Sequence, residues 1–176
     1  MNTNTYKIQN YFLKLLCEEN EKNKIAYDSI PSTHYLSDSY AVFAIPRINM
    51  HISIEYGVKR VQSYSRMFDK YPYNEIIFTG MRDNNDKRTP YIFKRSDIEI
   101  VKIDSKYMKL LPDIKNYRYY QLKYDSPIWV VDDTDTTIAI ICPIVKRKWI
   151  KMLISLIATF ICGIFVGVNI KEDNND

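Results

Sequence analysis

Met152 to Val168 (MLISLIATFICGIFVGV) is an uncharged apolar run, and no other feature restricts what this chain can become as tightly. At ~1.5 Å per helical residue it reaches about 25 Å, the short end of what crosses a bilayer core. Trp149 and Ile150 extend its apolar character outward, and Lys151 has the length to snorkel. Lys146, Arg147, Lys148 and Lys151 flank the N-terminal side, whereas Lys171, Glu172, Asp173 and Asp176 lie beyond it. The positive-inside rule then keeps the preceding domain in the cytoplasm and sends the C-terminus across. A buried core helix is the alternative, but such a helix usually shows a polar stripe and this run has none. The expected organisation is a cytoplasmic domain (1–145), a basic juxtamembrane segment (146–151), a transmembrane helix (152–170) and a short polar tail (171–176). That describes a tail-anchored, single-pass membrane protein whose first partner is membrane lipid.

The remaining residues suffice for one ordinary domain with a real core. Hydrophobic residues make up 46% and charged residues 26% of the chain, which predicts folding over disorder. The net charge of +4 is mild, and much of the local excess is the juxtamembrane cluster, where acidic headgroups explain it without nucleic acid. Cys17, Cys142 and Cys162 are an odd, unpaired set with one member in the expected anchor, which argues against a disulfide framework and fits a reducing cytoplasm. Lys and Gln interrupt the first twenty residues, so they are no signal peptide. The 15 tyrosines among abundant Lys, Asn and Ile suggest an AT-rich genome, such as that of a bacteriophage of a low-GC bacterium.

Ile8, Tyr11, Phe12, Leu15 and Leu16 follow helical spacing and predict an amphipathic helix over 6–19, with Thr5 as N-cap. A polar connector (20–32) leads to a short strand at 40–45 that stops at Pro46. A second strand is expected at 51–57, then an ambiguous helix over 58–70 closed by Tyr71-Pro72. Strands at 75–79 and 91–94 flank the turn cluster Asp83-Asn84-Asn85-Asp86. A partly buried strand at 98–103 precedes Asp104, which caps a short helix over 105–111 ended by Pro112. An aromatic strand at 117–124 follows, and strands at 128–131 and 136–141 pair across Asp132-Asp133-Thr134-Asp135. No internal repeat is visible. The expectation is a single α+β domain, rich in antiparallel strands, followed by one C-terminal transmembrane helix.

No catalytic constellation emerges, so the chain reads as a non-enzyme without cofactor or metal. His34 and His51 lack spaced ligand partners and are simplest as surface or loop residues. Asp132, Asp133 and Asp135 lack the Gly and distal Glu of a calcium loop and suit a hairpin turn. Only Gly57 and Gly80 precede the apolar run, which leaves no Gly-rich phosphate cradle. Cys142 reads as core. Tyr117, Arg118, Tyr119, Tyr120, Lys123 and Tyr124 interleave aromatic and basic side chains, a pattern that can stack single-stranded nucleic acid. Tyrosine is also among the best strand formers, so a plain structural strand is the weightier reading. In the apolar run, Ser155, Thr159, Gly163 and Gly167 recur every fourth residue, a small helix face that favours a homodimer in lipid; chance is its rival, since glycine is common in membrane helices.

Two stretches, IDSKYMKLLPDI (103–114) and SPIWVVDDTDTTIAIICPIVK (126–146), resemble the end of the bacterial replicative sliding clamp, the β subunit of DNA polymerase III. In that family's last domain an Asn/Asp-x-x-Tyr-Leu stretch opens a ring-lining helix. A Ser-Pro-apolar strand, an acidic hairpin and a final strand ending Met-Pro-Met-Arg follow. The corresponding positions here are Asp104, Tyr107-Met108, Ser126-Pro127-Ile128, Asp132-Asp133 and Cys142-Pro143-Ile144-Val145. Tyr35 to Pro46 (YLSDSYAVFAIP) is similar to the family's Thr-Asp-Gly-His-Arg-Leu-Ala strand, with Ser39, Tyr40 and Ala41 replacing Gly-His-Arg. Val145 replaces the final Arg, and this chain has room for one domain where the family has three. The resemblance implies a clamp-like fold and a hydrophobic groove for short partner peptides, lined by Val42, Ile141, Pro143 and Ile144. It also places Lys102, Lys106 and Lys109 on a clamp-like inner face, although solvated lysines are the commoner explanation. The function expected is a tethered protein-binding module serving replication or another process; the alternative is a tethered nucleic-acid-binding protein.

Overall fold

The computed structural model describes residues 3–18, 24–52, 59–60, 64–97 and 99–145. Helix α1 (Thr3–Cys17) turns Ile8 and Phe12 to the interior while Lys7 and Lys14 stay wet, as its spacing dictates. It starts earlier than expected, so Thr5 is not its cap but a buried residue whose carbonyl accepts from Gln9 Nε2. Gln9 is itself buried and ties the helix down: its Nε2 also donates to Asn49 O, and its Oε1 accepts from His51 N at 2.7 Å.

The expected polar connector contains a strand. β1 (Ala26–Ile30) forms a hairpin with β2 (Thr33–Ser37), which pairs in turn with β3 (Ala41–Pro46). β1 hides from a pattern search because its buried Asp28 breaks the apolar alternation; that carboxylate accepts from Ser29 N and Ser65 N. A 3-10 turn (Arg47–Asn49) follows, then the two-residue β4 (Lys59–Arg60), parallel to β1, and the short α2 (Tyr64–Phe68). The strand expected at 51–57 falls largely outside the described residues, and the expected helix over 58–70 shrinks to α2.

β5 (Glu75–Arg82), β6 (Tyr91–Lys94) and β7 (Ile100–Ile103) form a meander. Asp104 caps α3 (Ser105–Met108) as expected, its carboxylate accepting from Lys106 N at 2.9 Å. β8 (Arg118–Gln121), β9 (Ile128–Val131) and β10 (Thr137–Ile141) complete, among the described residues, a ten-stranded sheet of order β4-β1-β2-β3-β10-β9-β8-β5-β6-β7. All pairings but β1–β4 are antiparallel. The domain is therefore strand-rich and antiparallel, with few helices.

The sheet order carries a repeat that the sequence hides. A helix followed by a three-strand meander occurs twice, as α1-β1-β2-β3 and α3-β8-β9-β10, and the last strands of the two units pair at the sheet's centre. Both helices lie on one face: Phe12 of α1 and Tyr107 of α3 meet Phe43 of β3 at 6.3 and 6.4 Å between ring centres. The core beneath them includes Leu36, Phe43, Ile45, Val130, Ala139 and Ile141, all essentially unexposed. The compact unit ends at Ile144. Among the described residues no helix is long and apolar enough to cross a membrane; the 152–170 run lies outside them.

Candidate functional site

The two helix–meander units are joined through Asp38, in the β2–β3 turn. Its Oδ2 accepts from Tyr11 of α1 at 2.5 Å and from Tyr107 of α3 at 2.8 Å, while its Oδ1 accepts from the amides of Tyr40 and Ala41. Ser39 takes φ 76° to make the turn. Lys106 sits 3.7 Å from Asp38 Oδ2 and 4.5 Å above the Tyr107 ring. Burial first, and Asp38 second, push the Tyr11 phenol far above its ordinary range, and the same two causes act on Tyr107. This carboxylate is a structural clasp. Sequence reading placed Asp38 within its strand motif but had no signal for the two tyrosines that converge on it.

The four groove candidates do not share one surface. Strand alternation sends Phe43 to the helices and Val42 to the opposite face. Ile141 pairs with Ala41, on the helix side, and is wholly buried there. Val42 pairs instead with Ile140. Pro143 and Ile144 are half-buried, and Ile144 N donates to Lys102 O at 2.7 Å, so this segment lies against β7. No single groove contains both Val42 and Ile141.

The aromatic–basic strand also divides. Tyr119 packs in the core 4.8 Å from the Phe93 ring and donates to Ile114 O, so its face is closed to a base. Tyr120 points the other way and is covered by Tyr71 at 4.6 Å. Arg118 Nη2 lies 2.7 Å from Asp135 Oδ1, whose carboxyl is held below the usual range by Tyr71 first and Arg118 second. Tyr117 is half-buried, with burial and the carboxylates of Asp113, Asp132 and Asp133 pushing its phenol up to about 12. Lys123 and Tyr124, beyond the strand, are exposed. Of the lysines, Lys102 is paired with Asp83 at 2.5 Å, Lys106 belongs to the Asp38 clasp, and Lys109 is exposed. A continuous stacking platform is absent from this strand.

Openings occur where paired strands part. β5 pairs with β8 only at Glu75 and Ile76, and its ladder with β6 is irregular between Phe78 and Arg82, where Gly80 takes φ 73°; a cavity of about 440 Å³ lies beside Phe78, Tyr117 and Lys115. β3 pairs with β10 only from Ala41 to Phe43, opposite Ile141 to Ala139; beyond that Ala44–Pro46 and Thr137–Ile138 separate. The resulting cleft, about 340 Å³, lies at the junction of the two units and is walled by Ile8, Tyr35, Phe68, Leu111 and Ile138. That is within the usual range of a ligand pocket.

Among the described residues no three His, Cys, Asp or Glu side chains converge as metal ligands. Burial first, and Asp38 second, push the Cys142 thiol above its ordinary range, the opposite of what activates a nucleophilic cysteine. Ser155, Thr159, Gly163 and Gly167, expected as the packing face of an anchor, and Lys146, Arg147, Lys148, Trp149 and Lys151, expected to flank it, lie outside the described residues. No protein-family model, curated sequence or solved structure matches the chain.

Proposed function

We propose that this chain is a non-enzymatic binding module tethered to the cytoplasmic membrane. The apolar run anchors it, the basic segment rests on the inner leaflet, and the domain captures an extended peptide of a partner protein, in the manner of a sliding-clamp unit. The carrying observation is the cleft at the β3–β10 divergence, a cavity of mixed apolar and polar lining beside two strands whose pairing has stopped. Extended peptides are held by strand edges for affinity and by adjacent side-chain pockets for specificity. Confinement to the membrane plane raises the effective concentration of both partners, and dimerisation through the small anchor face would raise it further. The clamp-like reading is supported by the order of elements: Asp104 caps a helix, Ser126-Pro127 leads into β9, and Asp132–Asp135 turns into β10. A replication protein is then the leading class of partner.

The alternative, nucleic-acid binding, rests on Lys109, Lys123 and Tyr124, which are exposed but do not form a stacking row. A pull-down with residues 1–146 from native cells separates the two. Protein capture that survives nuclease and moderate salt supports recruitment; capture lost with nuclease overturns it.

A further inference from the structure

The β3–β10 cleft has a sign. Its lining includes Asp69 and Asp132 and, among the described residues, no Lys, Arg or His. The two tyrosines in it report the same negative field: after burial, Tyr35 is raised chiefly by Asp69, and Tyr117 by Asp113 and Asp132. A second, independent observation concerns Thr137. It is 5% exposed, it lines the cleft, and its buried Oγ1 has no hydrogen-bond partner. A buried hydroxyl left without a partner costs roughly 1–3 kcal/mol, so most such groups in folded proteins are satisfied by a neighbour, a water or a ligand. The floor, by contrast, is apolar: Ile8, Phe68, Leu111 and Ile138 offer nothing to a polar group.

We infer that this cleft takes a basic residue of an extended partner peptide. Its alkyl stem lies on Ile8, Phe68 and Ile138, its ammonium or guanidinium reaches Asp69 and Asp132, and the peptide backbone runs along the parted edges of β3 and β10. Long basic side chains bury their stems on apolar surface while their charged heads seek polar partners, which is the division this cavity offers. Tyr35 and Tyr117, also in the lining, are aromatic groups of the kind that attract a cation. Asp132 Oδ1 accepts from Thr134 N, Thr134 Oγ1 and Thr136 N, so the cation is assigned to its Oδ2 and to Asp69; an acidic side chain meets the wrong field there, and a purely apolar one brings no charge to it. In this assignment the peptide supplies the partner that the Thr137 hydroxyl lacks. The inference rests on the peptide-capture reading and assigns it a site and a specificity.

The test is amide chemical-shift mapping on the isotope-labelled full chain in detergent micelles. The probes are the capped pentapeptide Val-Ile-Lys-Leu-Val and its counterparts with Glu or norleucine at the centre. The Lys peptide should shift Thr33, Ala44, Thr137 and Ile138 and bind about tenfold more tightly than the Glu peptide, about 1.4 kcal/mol. Asp69→Asn with Asp132→Asn should abolish that preference. Thr137→Val should weaken binding while raising thermal stability, because it removes an unpartnered hydroxyl without changing shape. Equal binding of the Lys and Glu peptides overturns the inference, as does the absence of shifts with every probe. Shifts gathered at Val42, Pro143 and Ile144 overturn this cleft while leaving peptide capture intact.

Discussion

Tyr11 and Tyr107, on two different helices, donate to the same oxygen of Asp38, at 2.5 and 2.8 Å. One carboxylate thereby joins both helices to the turn that opens the central strand β3. Removing it strands two phenols and two turn amides in a largely buried setting. Asp38→Ala should destabilise residues 1–145 by roughly 3–5 kcal/mol, and Tyr107→Phe by about 1–2 kcal/mol, in urea denaturation. Asp38→Asn, which keeps the acceptor for the turn, should fall between them. A loss below about 1 kcal/mol for Asp38→Ala would show that the helices are held by packing alone.

The raised phenols fix an alkaline limit. Tyr11, Tyr107, Tyr117 and Tyr119 all lie above their ordinary value of 10.0, mainly through burial, with Tyr117 at about 12. A tyrosine that holds its proton more tightly when folded contributes stability that is complete below pH 10 and lost as pH rises through its folded value. Unfolding free energy should therefore be flat toward pH 10 and fall steeply above it. Absorbance at alkaline pH should show several tyrosines ionising only with unfolding. Full tyrosine titration before the fold is lost would contradict this.

Stacking on oligothymidylate should be weak, because the Tyr119 face is buried and Tyr71 covers Tyr120. Fluorescence anisotropy should detect no binding at physiological salt, and Tyr124→Ala should change nothing. Tight binding with a steep salt slope would favour the nucleic-acid alternative.

Where chain-local chemistry decides, the sequence was readable. β6 and β9 fall where their aromatic and β-branched runs put them, and Asp104 caps α3 as its position suggests. The turn at Asp132–Asp135 forms as read, with Asp135 at φ 65°. β1 was missed because Asp28, a residue that belongs to turns by composition, is satisfied by Ser65 from a distant segment. The groove assignment failed on register: Val42 and Ile141 belong to neighbouring strands, yet period-two alternation sends them to opposite faces. The strand-parting cleft had no sequence signature at all. It depends on where β3–β10 pairing stops, beside a bulge between Thr137 and Ala139, which only the assembled sheet reveals.

The small face of the apolar run predicts self-association through it. Gly163→Ile with Gly167→Ile should lower the signal in a membrane two-hybrid assay several-fold, since each added side chain separates the helix backbones. An unchanged signal would place any dimer contact elsewhere.

The proposed function depends on membrane attachment, and alkaline carbonate extraction of membranes carrying the full chain tests it most directly. The account predicts that the protein stays in the pellet with integral markers, whereas release of the intact chain into the supernatant would contradict it.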